Sequence, residues 1–202
     1  AEIVPAGQLP HTSGNVDLKG QMVWPCFADS HTHLDKAFIW DRTPNPDGTF
    51  MGALQATTQD REAYWTEADV ERRMEFSLHC AYAHGTSTIR THLDTFGVHG
   101  ARVWHLLRRL QKKWAGKIAL QGVSLTMPAR YMGEDRDGIV RSVAETEGGV
   151  LGAVLMKHNT TEDVLDVLFG LATESGLELD LHVDENGETG GTALELVAQA
   201  AL

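Results

Sequence analysis

Residues 23–36 read VWPCFADSHTHLDK. An apolar run over 23–28 gives way at once to Asp29-Ser30-His31-Thr32-His33. A short apolar run that ends in polar residues predicts a buried strand with chemistry at its C-terminal end. A doubly wound dinucleotide-binding sheet needs a glycine-rich turn after its first strand, and no glycine stands here. A barrel of alternating strands and helices places its functional side chains at the C-terminal ends of several strands. Two histidines at such an end favour the barrel.

The rest of the chain supplies the alternation. Residues 35–65 show no clean period, and Pro44, Asn45, Pro46, Asp47 and Gly48 predict a turn-rich loop. Thr66 with Asp69 three residues on has the form of a capping box and opens a long helix, with Gly85 just past its end. Strands are expected over 86–93, 117–126, 150–156 and 177–183, and helices over 98–114, 136–146, 161–175 and 192–202. Arg108, Arg109, Lys112 and Lys113 sit near the end of the second of these helices, where the helix dipole favours cations. Gly176 stops the helix over 161–175. Strand and helix alternating in this way mean an α/β fold with a parallel sheet. The expected architecture is a (β/α)8 TIM-type barrel with about its first five units present.

The histidines define the candidate site. His31 and His33 are two apart, so on a strand they share a face and can ligate one ion. His182 ends the fifth expected strand, with Glu185 three residues later; His92 ends the second, and Lys157 and His158 end the fourth. A divalent metal held by imidazoles with an open position acidifies its water toward neutrality, and a neighbouring carboxylate can move the proton. His31, His33 and His182 are therefore expected to be metal ligands, and Glu185 the proton carrier. His92 is expected either to line the pocket or to serve as a structural hydrogen-bonder. His158 is read as a satisfied structural residue, and His11, His79, His84, His99 and His105 as surface or core filler.

Composition excludes several classes. The 202 residues are 42% hydrophobic and 22% charged, which is unlike a disordered chain. A net charge of −11 argues against a nucleic-acid partner, and no apolar run reaches the ~20 residues of a membrane span. Cys26 and Cys80 lack a motif spacing and read as buried thiols of a reducing compartment, so a cytoplasmic protein is expected. The first ten residues, AEIVPAGQLP, lack the pattern of a secretory signal.

Together, Asp29-Ser30-His31-Thr32-His33-Leu34-Asp35-Lys36, Gly48-Thr49-Phe50, Gly85-Thr86 through Arg90-Thr91-His92-Leu93-Asp94, and Leu181-His182-Val183-Asp184-Glu185 resemble segments of the amidohydrolase superfamily, in the matching order. They resemble its cytosine deaminase-like branch more closely. The resemblance runs from about residue 22 to the end of the chain. It implies a metal-dependent hydrolase with one divalent ion, Fe2+ or Zn2+, acting on a small heterocycle. His31, His33 and His182 would hold the ion. Glu185 would protonate a ring nitrogen while metal-bound hydroxide attacks the amino-bearing carbon, and ammonia would leave. Phe50, on the long loop, would pack over the heterocycle, with His92, Met127 and Lys157 also facing substrate. Met127 stands where cytosine deaminases carry a glutamine, and a thioether cannot replace an amide's hydrogen bonds. The expected substrate is cytosine-like or another cyclic amidine.

The resemblance also calls for a histidine after a sixth strand and an aspartate after an eighth, and a barrel typically needs ~250 residues. Residues 1–22 are accordingly expected to be a remnant of an N-terminal β-sandwich, and residues 23–202 a partial barrel. Two alternatives stay open. One is a binuclear cyclic amidase of the hydantoinase-like kind, with Lys157 as a carboxylated lysine. The other is a fragment that binds metal weakly and has no activity. Association into a homo-oligomer is also left open.

Overall fold

Strands and helices alternate along the computed structural model, which describes Gln8, Gly14 and residues 16–202 except Glu188. The order is β1 (Phe27–Thr32), α1 (Phe50–Tyr64), α2 (Glu67–Ala83), β2 (Thr86–Asp94), α3 (Gly97–Trp114), β3 (Ala119–Leu125), α4 (Arg136–Ala144), β4 (Leu151–Leu155), α5 (Glu162–Ser175), β5 (Leu179–Val183) and α6 (Ala193–Ala200). A short 3-10 helix, Leu34–Lys36, follows β1.

Every strand pairing is parallel: β1 with β2, β2 with β3, and β4 with β5. β4 lies beside β3 through a bridge between Val123 and Val150. There Ser124 N–H donates to Val150 O (3.1 Å) and Val154 N–H to Thr126 O (2.9 Å). The strands thus neighbour one another in chain order. That is the connectivity of a barrel wall, whereas a doubly wound sheet reverses its order at a switch point.

The helices form where their caps and apolar faces direct. Thr66 Oγ1 accepts the Asp69 N–H (3.2 Å) at the start of α2, and Gly85 adopts φ +86° past its end. Thr161 caps α5, which Gly176 ends in the left-handed conformation. α3 buries Val103, Trp104, Leu106, Leu107 and Leu110. This spacing of three and four puts one apolar stripe against the sheet. At Gly122 on β3 an added Cβ would sit 2.4 Å from Leu107 Cδ2, so helix and strand meet here without room for a side chain.

Four expectations change. The first strand begins at Phe27, and the apolar residues before it are exposed, Val23 by 60% and Trp24 by 68%. Pairing starts at the Phe27–Thr86 register, just where α2 gives way to β2, and Pro25 has no N–H to extend it. β1 is itself mostly exposed, with a strand partner on one edge only among the described residues. Second, Cys26 is an exposed free thiol, and Cys80 is half-buried. Third, Phe50 opens helix α1 instead of lying in a loop. The residues α1 buries are Gly52, Ala56 and Asp60, which carry no apolar period for the sequence to show. Fourth, His158 is exposed in the turn after β4. The boundary expected at residue 22 falls largely outside the described residues; of that stretch, 16–22 form no strand.

Candidate active site

Side chains two apart on a strand share a face. Two such pairs converge here, Arg90 and His92 on β2 and Asp180 and His182 on β5, and His31 joins them from β1. His33 follows β1 and precedes the 3-10 helix, whose first N–H, that of Leu34, donates to Thr91 Oγ1 (3.0 Å). Thr32 Oγ1 donates to Arg90 O (3.1 Å), so the end of β1 is tied to β2 twice.

Four imidazoles meet as a result. Ring centroids of His31 and His92 are 4.2 Å apart, and each lies 4.7 Å from His182. His33 stands 5.2 to 5.5 Å from the other three. Ligand-capable atoms of His31, His92 and His182 all fall within 4.8 Å of one another. His33 Nδ1, His92 Nε2 and both ring nitrogens of His182 are buried without a hydrogen-bond partner.

Burial favours the neutral form of His33, His92 and His182. Burial, aided by the Lys36 ammonium, pushes His33 down to about 3. Burial and the neighbouring His92 and His31 push His182 down to about 4. Burial also lowers His92, against the opposing pull of Asp180. Metal coordination needs a neutral imidazole with a free nitrogen, and an unpaired buried nitrogen costs stability until something binds it. The donor set therefore fits a divalent ion such as iron or zinc.

Around the cluster lies a charged rim. Asp94, at the end of β2, accepts from Lys36 Nζ and Arg61 Nη1, both at 2.8 Å. Its backbone N–H donates to Asp35 Oδ2 (2.8 Å). Asp35 is fully buried; burial alone would raise its pKa, but His99 and Lys36 hold it below the ordinary range. Glu185 is exposed in the turn after β5. That turn is fixed by Asp184, which takes φ +54°, donates its N–H to Leu155 O (2.9 Å) and accepts the Leu194 N–H (3.1 Å).

Of the expected site residues, the structure gathers His31, His33, His92 and His182. Met127, 38% exposed, and Lys157, also exposed, follow the ends of β3 and β4, while Phe50 is half-buried at the start of α1. These three and Glu185 are not packed into the histidine cluster. Sequence reasoning missed Asp180 and Arg90. Asp180 is held by Arg90 Nη1 at 2.9 Å and lies 3.3 Å from His92 Nε2. The alternation in Leu179-Asp180-Leu181-His182 placed Asp180 on the face of His182 and was the available signal.

No protein-family model matches the chain. A pterin deaminase of Rhizobium rhizogenes is 46% identical over 202 residues, which is 100% of this chain and 46% of that protein. The solved 5-methylcytosine deaminase from Klebsiella pneumoniae superposes with a TM-score of 0.79 at 24% identity, over 98% of this chain and 48% of that one, and shares the fold. N-isopropylammelide isopropylaminohydrolase from Burkholderia multivorans gives a TM-score of 0.63 at 28% identity, over 87% of this chain and 44% of that one. The chain spans about half the length of the curated relatives it matches.

Proposed function

We propose that this chain belongs with the amidohydrolase-superfamily deaminases and serves the hydrolytic removal of an amino group from a nitrogen heterocycle. The observation that carries the reading is the histidine cluster, in which His33 and His182 are held neutral and carry buried, unpartnered nitrogens. The chain's five strands would form part of a (β/α)8 barrel. The 46% identity to a pterin deaminase favours a pterin-like ring over cytosine, in line with Met127 at the position where an amide would read a pyrimidine.

His31, His33 and His182 would hold one divalent ion, which would supply the Lewis acidity that makes water nucleophilic near neutral pH. Glu185, three residues beyond His182, would carry one proton of the attacking water to a ring nitrogen, and the second proton of that water would leave with the amino group as ammonia. Its exposure leaves it in ordinary contact with solvent until a heterocycle covers it. Phe50 packs against the ring face. Met127 and Lys157, beyond β3 and β4, contact its edge.

The test is an ammonia-release screen over pterins, pyrimidines and triazines. It is run on the 202-residue chain and on the product of its entire gene, each supplied with Fe2+ or Zn2+. Release from a pterin-like ring with one ion per chain is expected. Two ions per chain, with hydrolysis of a cyclic amide and no ammonia, would replace this reading with the binuclear one.

A further inference from the structure

Beneath the histidine cluster runs a second layer of polar side chains. Gln121 on β3 is the register partner of Arg90 on β2, and Arg90 Nε donates to Gln121 Oε1 (3.1 Å). Arg90 Nη1 reaches across to Asp180 Oδ2 on β5 (2.9 Å). β2 and β5 are neighbours in neither sheet, so this ion pair crosses the interior. Above it, His92 Nε2 lies 3.3 Å from Asp180 Oδ1, an ion-pair distance that falls outside hydrogen-bond alignment.

His92 is fully buried. Its ring lies tilted 32° against His31 and edge-on, at 81°, against His182. Its Nδ1 is 3.4 Å from Thr32 O. His92 Nε2 is buried without a hydrogen-bond partner, as are His33 Nδ1 and both nitrogens of His182, but His92 is the ring of the four with a carboxylate at ion-pair distance. That carboxylate sets His92 apart from the other three rings.

We propose that Asp180 is a positioning residue: clamped by Arg90, it braces His92 and so sets His31 and His182 at the separation one divalent ion requires. The brace rests on the reading of His31, His33 and His182 as ligands. It adds a function for a carboxylate that the deamination chemistry does not use. Outer groups that orient metal-binding imidazoles typically change metal affinity when removed.

The test uses the 202-residue chain loaded with Co2+, read by its visible absorption and by competition with a chelator. Asp180→Asn is expected to weaken Co2+ binding about 10- to 100-fold and to shift the absorption bands. His92→Gln is expected to do the same. The double variant is expected to be no weaker than the worse single one, because both act on one ring. Thermal melting of the metal-free forms separates loss of fold from loss of the site. Should Asp180→Asn fail to fold, His92→Gln and Arg90→Gln carry the same comparison. Wild-type affinity and spectrum in the folded Asp180→Asn protein would overturn the brace alone. Complete loss of binding in His92→Gln with Asp180→Asn unaffected would make His92 a ligand and overturn it as well. Failure of the unsubstituted chain to take up Co2+ would remove the metal reading itself, and the brace with it.

Discussion

Glu185 and His182 are three residues apart but live in different surroundings. His182 is buried and unpartnered; Glu185 is exposed on a turn that Asp184 fixes. The first setting suits the ligand proposed for His182 and the second the proton carrier proposed for Glu185. Glu185→Gln keeps the shape and removes the titrating oxygen, so deamination by the metal-loaded enzyme should fall at least about 100-fold in kcat, with metal content unchanged. Steady-state kinetics beside metal analysis checks this, and turnover within tenfold of the parent would remove Glu185 from the proton path. At this scale His31, His33 and His182 were readable, because strand ends and a spacing of two are local pattern. Asp180 was not, because its importance comes from Arg90, ninety residues away.

The elements depend on groups whose pairing only folding creates. α1 and α2 are joined by Arg42, which reaches Asp60 at 2.7 Å and Asp69 at 2.8 Å; Asp69 also receives Arg73 Nε at 2.9 Å. Trp65 Nε1 donates to Asp60 as well. The Arg42 hydrogen bonds, with Arg73 and against the opposing effect of burial, hold Asp69 down to about 2. Its folded pKa is therefore below the unfolded value of about 3.9. The stabilisation is present above about pH 4 and is lost as pH falls toward 2. Its full size is about 2.5 kcal/mol, of which about half should be gone by pH 3. Urea unfolding at pH 5 and pH 3 should show the parent losing more than Asp69→Asn, and equal losses would refute the assignment. On β4, a Cβ at Gly152 would stand 2.5 Å from Val123 Cγ1, 2.6 Å from Ser124 O and 2.7 Å from Asp180 O. Two of these atoms are backbone and cannot swing aside. Gly152→Ala should cost about 1–3 kcal/mol in the same denaturation experiment. α1 itself was invisible to pattern reading, because a helix that buries glycine, alanine and aspartate has no apolar stripe.

For the whole molecule, the proposed metal binding would be linked to folding. β1 is exposed and β1 and β5 are end strands of their sheets, yet the cluster draws His31 and His33 from one and His182 from the other. An ion held by these histidines would bridge the two ends of the sheet series. Saturation at 100 times the dissociation constant should stabilise the chain by about 2.7 kcal/mol. Thermal melting with and without Zn2+ should register this as a higher Tm that a chelator reverses, and the His182→Ala protein should not respond. No helix among the described residues is long and apolar enough to cross a membrane.

Local pattern was enough for the alternation of strands and helices, the caps at Thr66 and Thr161, and the three histidines at strand ends. Each depends on residues within a few positions of one another, and periodicity and capping are short-range physics. Folding alone decided where pairing of β1 begins, that α1 exists, and that His92 enters the cluster over Asp180 and Arg90. Those outcomes depend on register between strands, on ion pairs between distant segments and on burial. All three arise only when remote parts of the chain share a low-dielectric interior.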